Sequence, residues 1–273
     1  QTVRVVGYLP SYRFELNNLI DYCKVTHLNL CFANPDASGN LQIADFNQII
    51  ATARNQNPHI VILVSFGGGI LSENQKKNWS RLIDQPSERS GFISNILDFL
   101  KTNGLDGVDV DLEGDAVTSG YSDFVLELND SLKKCEKLLT AALPGRRSYS
   151  NLNADALHVF DFINVMAYDA TGPWNPDNPG QHSSYGFALN SLNFWKSRGV
   201  DFRKINIGVP FYGYNFEDPE NVVAFTFAQM VKKNELNADR DNVGLSWYNG
   251  RVMISNKVEL AAGYAGGIMI WEL

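Results

Sequence analysis

Eight short runs of β-branched and apolar residues are spread through the 273 residues, and amphipathic stretches lie between most of them. Such alternation belongs to chains built from strand–helix–strand units around a parallel sheet. The runs begin near Val3 (VRVVGYLP), Thr26 (THLNLCFA), Ile60 (IVILVSF) and Gly107 (GVDVDLE), then near Leu138 (LLTAAL), Phe162 (FINVMAY), Ile205 (INIGVPFY) and Gly267 (GIMIWEL). Between them, Ser90 to Thr102 sets Phe92, Ile93, Ile96, Leu97 and Leu100 at helical spacing. Asp123 to Cys135 does the same with Phe124, Leu128 and Leu132, and Leu189 to Arg198 with Leu192 and Trp195, stopped by Gly199. A closed (β/α)8 barrel takes roughly 250 residues. The spacing therefore predicts one such α/β TIM barrel over 1–273, without a large insertion domain; a doubly wound open sheet is the alternative. Residues 214–249 read as an elaborated loop with room for one helix, too short for an independent domain. The eighth run ends at Leu273, so the barrel's final helix is expected to be lacking from this sequence.

Hydrophobic residues at 44% and charged residues at 19% suit a chain that buries a real core. The formal net charge of −7 argues against nucleic acid, whose phosphates need a basic surface. Cys23, Cys31 and Cys135 are too few and odd in number for a disulfide framework and read as buried small hydrophobes. No apolar run is long enough for a membrane span. No signal peptide is visible at Gln1, which says little about export because a trimmed chain would show none. His27, His59, His158 and His182 have no metal-ligand spacing and read as structural or surface residues.

The strongest chemical signal is Asp106-Gly-Val-Asp109-Val-Asp111-Leu-Glu113. Alternate side chains of a strand face the same way. Asp109, Asp111 and Glu113 form one row, facing a barrel interior, while Val108, Val110 and Leu112 suit the helix side. Asp106 is out of step and belongs at the strand entrance. Burial and like neighbours both raise carboxyl pKa values, so the three acids are expected to titrate as a coupled set. Glu113, outermost, is then placed to stay protonated near neutral pH and serve as a general acid. A solvated strand face and a hard-metal site built from carboxylates are the other readings.

This motif resembles the signature of family 18 of the glycoside hydrolases, which holds chitinases, some endo-β-N-acetylglucosaminidases and inactive sugar-binding relatives. Gly7-Tyr8, Ser65-Phe-Gly67-Gly68, Met166-Ala-Tyr168-Asp169, Gly208-Val-Pro-Phe-Tyr212-Gly213 and Gly267-Ile-Met-Ile-Trp271 resemble other family segments in order and spacing. The resemblance implies a glycosidase, chitinase-type, cleaving β-1,4-linked N-acetylglucosamine polymers with retention, through an oxazolinium ion formed by the substrate's own acetamide. By the same resemblance Glu113 is the acid, Asp111 holds the acetamide N–H, Asp109 shares a proton with Asp111, and Tyr168 donates to the acetamide carbonyl. Trp271 forms the floor under the reacting sugar, and Tyr8, Met166, Asp169 and Tyr212 line it; for Met166 packing is an equal reading. Ser65 supports Asp106 or Asp109, and Trp174 is a candidate for a neighbouring subsite. No cofactor or metal is implied. The partner is chitin or an N-acetylglucosamine-containing oligosaccharide, the chain is expected to be a monomer, and a secreted, periplasmic or cell-surface location follows from the resemblance alone.

The chain departs from the family pattern in two places. Gly114-Asp115 follows the glutamate where an aromatic residue and proline are common, and Tyr214 follows Gly213 where arginine is common. Together with the short stretch before the last strand, this implies a shallower groove. It keeps open an endo-β-N-acetylglucosaminidase acting on N-glycans, and less strongly a catalytically inactive sugar-binding protein.

Overall fold

The computed structural model describes residues 3–273. Eight strands carry the fold: β1 (Arg4–Pro10), β2 (His27–Pro35), β3 (Val61–Gly67), β4 (Gly107–Asp111), β5 (Leu138–Pro144), β6 (Phe162–Met166), β7 (Ile205–Pro210) and β8 (Gly267–Trp271). They pair in the order β1-β8-β7-β6-β5-β4-β3-β2, and β1 also pairs with β2. This is the closed parallel order of a (β/α)8 barrel, as the run spacing predicts, and the open sheet is set aside. The helices are α1 (Asn47–Gln56), α2 (Glu73–Asp84), α3 (Pro86–Asn103), α4 (Tyr121–Lys134), α5 (Ala154–Val159), α6 (Tyr185–Ser197), α7 (Phe227–Lys233) and α8 (Arg251–Tyr264). After β1 the chain forms 3-10 turns over Ser11–Leu19 instead of an α-helix. Among the described residues no helix is long and apolar enough to cross a membrane.

By packing, the chain divides into two units, residues 8–143 with 148–163, and residues up to 7 with 144–147 and 164–273. In the first, the register sets Ser65 of β3 beside Asp109 of β4, and Asp109 beside Thr140 of β5. Strand alternation then gives all three side chains one face. The other face is apolar: Val64, Phe66, Val108 and Val110 are fully buried. Phe66 meets the indole of Trp79 on α2, which also packs edge-on against Phe92 of α3 and Phe124 of α4. Trp79 Nε1 donates to Asn34 Oδ1 at 2.7 Å, and Asn34 Nδ2 donates to the Gly67 carbonyl at 3.1 Å. The aromatic core thus holds the last residue of β3. α2 begins with a capping box, Ser72 accepting from Gln75 N while Gln75 reaches back to Ser72 N. α3 ends at Gly104 in the left-handed region, with φ 61°.

In the second unit, β8 lies between β1 and β7. Trp195 of α6 is buried and donates its Nε1 to the Pro144 carbonyl at 2.9 Å. Residues 212–249 hold more order than a loop. Tyr212–Asn215, Val223–Thr226, Asn242–Val243 and Ser246–Trp247 form a four-stranded antiparallel sheet, and α7 rises from a Thr226/Gln229 capping box. Strands of two to four residues are too short to leave a readable alternation. The reading of the cysteines is also corrected: Cys31 is buried, but Cys23 and Cys135 are exposed, because one lies in a surface 3-10 turn and the other caps the end of α4.

Candidate active site

Asp109 is wholly buried, and three hydroxyls point at it. Tyr8 OH and Ser65 Oγ each donate to Oδ2 at 2.7 Å, and Thr140 Oγ1 donates to Oδ1 at 2.6 Å. Hydroxyl donors on both oxygens suit the ionised carboxylate, which only accepts. Two residues on, Asp111 is also buried, and its Oδ1 has no hydrogen-bond partner. Burial first, then Glu113, then Asp109, push its carboxyl well above the usual range. The row thus places a fixed acceptor beneath a carboxyl that holds its proton.

Glu113, past the end of β4, is half-buried and lies against a glycine turn. A side chain on Gly69 would begin 3.1 Å from Glu113 Oε1. Gly67, with φ 86°, lets the turn approach β4 so closely that a Cβ there would strike the Asp111 carbonyl. Gly68 N donates to that carbonyl at 2.8 Å. The glycines at the end of β3 therefore let the turn lie directly against the backbone of Asp111 and the carboxyl of Glu113. Tyr121, the first residue of α4, is buried with no partner for its hydroxyl; burial, Tyr149, Asp111 and Asp109 together hold that phenol protonated.

Ser65 supports Asp109 and not Asp106. Asp106 lies at the start of β4, where its carboxylate accepts from Ile62 N at 2.8 Å and pairs with Arg54 at 3.4 Å, so it fastens the strand entrance and not the acidic row. Tyr8, expected to line the sugar site, is 1% exposed with its hydroxyl on Asp109, which makes it a support of the row. Thr140 was not foreseen. A single threonine in LLTAAL looks like ordinary core, and only the register with Asp109 reveals it.

The second unit gathers an aromatic cluster just past β6. Tyr168 is 9% exposed; its hydroxyl reaches Met269 Sδ at 3.7 Å, and its ring stands edge-on to Tyr212. Asp169 holds a φ of 62°. Its Oδ1 accepts from Tyr212 OH and from Tyr214 OH, the latter at 3.0 Å, and lies 3.4 Å from His182 Nδ1. Burial, then the charge of Asp169, keep both phenols protonated and donating. This carboxylate accepts from two tyrosine hydroxyls, and a fully buried imidazole lies beside it. His182, for which spacing offers no role, is the residue most plainly missed. Trp174 is 60% exposed and packs edge-on to Tyr214. Met166 and Trp271, the last residues of β6 and β8, are half-buried. Among the described residues no group of three or more histidine, cysteine or carboxylate side chains is arranged to hold a metal ion.

The model of the glycosyl hydrolases family 18 matches residues 4–273. The structure is similar to that of the family 18 chitinase ChiB from the chitin utilization locus of Flavobacterium johnsoniae, with a TM-score of 0.98 and 51% identity over 100% of this chain and 88% of that one. It is similar to a chitinase of Bacteroides thetaiotaomicron at TM-score 0.83 and 29% identity, covering 100% and 90% of the two chains. In sequence it is 31% identical to a probable chitinase 10 of Drosophila melanogaster over 69% of this chain, and 30% identical to a secreted chitinase LysM12 of Penicillium expansum over 78%. The chain spans 9% and 16% of the lengths of those two relatives. With the acidic row seated on β4 and the match running from the first strand to the last, the chain belongs to family 18 of the glycosyl hydrolases.

Proposed function

We propose that this chain hydrolyses β-1,4 bonds between N-acetylglucosamine units, as a chitinase does, with retention and through an oxazolinium intermediate. The observation that carries the reading is the graded acidic row. Asp109 accepts from three hydroxyls, Asp111 is buried with a raised carboxyl and an unpartnered oxygen, and Glu113 is half-buried beside the bare Gly69. Glu113 protonates the glycosidic oxygen. The substrate's acetamide oxygen attacks the anomeric carbon, so no second protein nucleophile is needed. Asp111 accepts the acetamide N–H on its unpartnered oxygen, and that hydrogen bond steadies the positive charge that develops, while Asp109 shares the proton that Asp111 holds. Tyr168 donates to the acetamide carbonyl, while Asp169 and Tyr212 bind the sugar's hydroxyls and Trp271 its apolar face. Water then attacks, with Glu113 as base. The working partner is chitin or a related oligosaccharide, met outside the cell, as the secreted relative's name suggests.

A second reading, release of N-glycans, draws on Gly69 and Gly114, which flank Glu113 without side chains and leave room for a branched leaving group. Chitotetraose and a high-mannose glycoprotein should be assayed side by side with wild type and Glu113→Gln. Turnover of chitotetraose is expected, cut at least about 100-fold in the variant, with oligosaccharide binding retained. Unchanged turnover in the variant discards the mechanism. Cleavage of the glycoprotein alone transfers the chain to the second reading, and binding without turnover in the wild type makes it a sugar-binding protein.

A further inference from the structure

Lys257, on α8, is fully buried. A buried ammonium is tolerated when its three N–H donors all find acceptors. Here Nζ donates to Ser183 O and Ser183 Oγ at 2.7 Å each, and to Asn249 Oδ1 at 2.6 Å. The acceptors interlock. Asn249 Nδ2 donates to Ser183 O at 2.9 Å and to Gln181 Oε1 at 3.2 Å. Residues 181–183 are thus fastened on the side of α8. On their other side they hold the chain that leaves β6. Ser183 Oγ donates to the Ala167 carbonyl at 2.6 Å, Ala170 N donates to the His182 carbonyl at 2.9 Å, and Asp169 N donates to His182 Nδ1 at 3.4 Å.

The chain so held carries Tyr168 and Asp169. Asp169 sits in the left-handed region that side chains other than glycine rarely adopt, and such a conformation persists only where its surroundings over-determine it. Burial pulls Lys257 down to about 7, with Asp241 pushing the other way. A methionine of similar length would fill the space without that desolvation cost, but it would leave Ser183 O, Ser183 Oγ and Asn249 Oδ1 each short of a donor. The ammonium is the one group that ties Ser183 and Asn249 together from the side of α8 by three hydrogen bonds.

We propose that Lys257 is a positioning residue, whose ammonium fixes residues 181–183 and through them aims Tyr168 and Asp169 at the reacting sugar. The proposal rests on the hydrolase reading above. The test compares wild type with Lys257→Met, Ser183→Ala and the double variant, using chitotetraose kinetics, melting, and amide exchange at Ala170. Ser183→Ala leaves two of the lysine's acceptors but cuts the link to Ala167. The expectation for Lys257→Met is a kcat lower by about 10- to 100-fold, the scale of a small misplacement, with KM changed far less. Ser183→Ala gives a smaller loss, the double variant loses no more than Lys257→Met, and Ala170 exchanges faster in all three.

A folded Lys257→Met with kcat within twofold of wild type overturns the proposal, whatever its melting point. If Lys257→Met does not fold, Ser183→Ala decides. A fall in kcat at unchanged melting supports the proposal, and an unchanged kcat overturns it. A wild type with no turnover refutes the hydrolase reading separately. Exchange at Ala170 then reads the anchor directly, and exchange unchanged in Ser183→Ala dismisses it.

Discussion

Replacing Thr140 with valine removes one hydroxyl and keeps the branched shape. In the wild type that hydroxyl donates to Asp109 Oδ1 at 2.6 Å, between neighbouring strands where neither residue is exposed. Water has no access to stand in for it. A hydrogen bond to a charged group contributes about 1.5–3 kcal/mol, and a buried acceptor that loses its donor bears that loss in full. For a chain of this size each kcal/mol moves the melting temperature by about 2–4 °C, so Thr140→Val should melt about 3–12 °C lower. Thr140→Ser keeps the donor and should recover most of the difference. Activity should follow the same order, because Asp109 is one of the charges that hold Asp111's carboxyl up, after burial and Glu113. Scanning calorimetry and chitotetraose kinetics on the three proteins make the test. If Thr140→Val lies within about 0.5 kcal/mol of wild type, as a surface substitution would, the hydroxyl is not serving an anion. The charge pattern assigned to the row then fails.

Two further substitutions bear on the same turn and row. Asp111's carboxyl is raised above its ordinary 3.8. Its burial is therefore harmless while it is protonated, becomes costly as pH rises from the unfolded value through the raised one, and is fully costly above that. Asp111→Asn has no such dependence. It should melt above wild type by a few degrees at the alkaline end of the stable range, for a gain of about 1–2 kcal/mol, and lose that lead below about pH 4, with turnover sharply reduced. A melting difference that stays constant with pH refutes this. Gly67→Ala places a Cβ against the Asp111 carbonyl at a φ of 86°, and should cost about 2–5 kcal/mol in denaturant unfolding; a loss under 1 kcal/mol shows that the turn yields.

The strands of the barrel were legible because each is a compact apolar run bounded by polar loops. Every predicted start lies within a residue of the observed one. The row Asp109-Asp111-Glu113 was legible for a different reason, since a period of two with acids on one face and valines on the other has few physical solutions. What stayed hidden depends on the register between distant segments. Thr140 meets Asp109 across 31 residues, and His182 meets Asp169 across a loop with no spacing rule. Lys257 looks like an ordinary helix-surface lysine until its three acceptors arrive from Ser183 and Asn249. The helix α2 went unread, because its polar composition obscures the apolar stripe of Trp79, Leu82 and Ile83.

The indole of Trp79 ties core packing to the acidic row. One edge fills the space among Phe66, Phe92 and Phe124, and the other, through Asn34, grips the Gly67 turn that rests on the backbone of Asp111. Packing of the aromatic core and placement of the acidic row therefore share a single fastening in this half of the chain. Hardening the protein against heat without shifting its acids therefore calls for changes outside the reach of that indole.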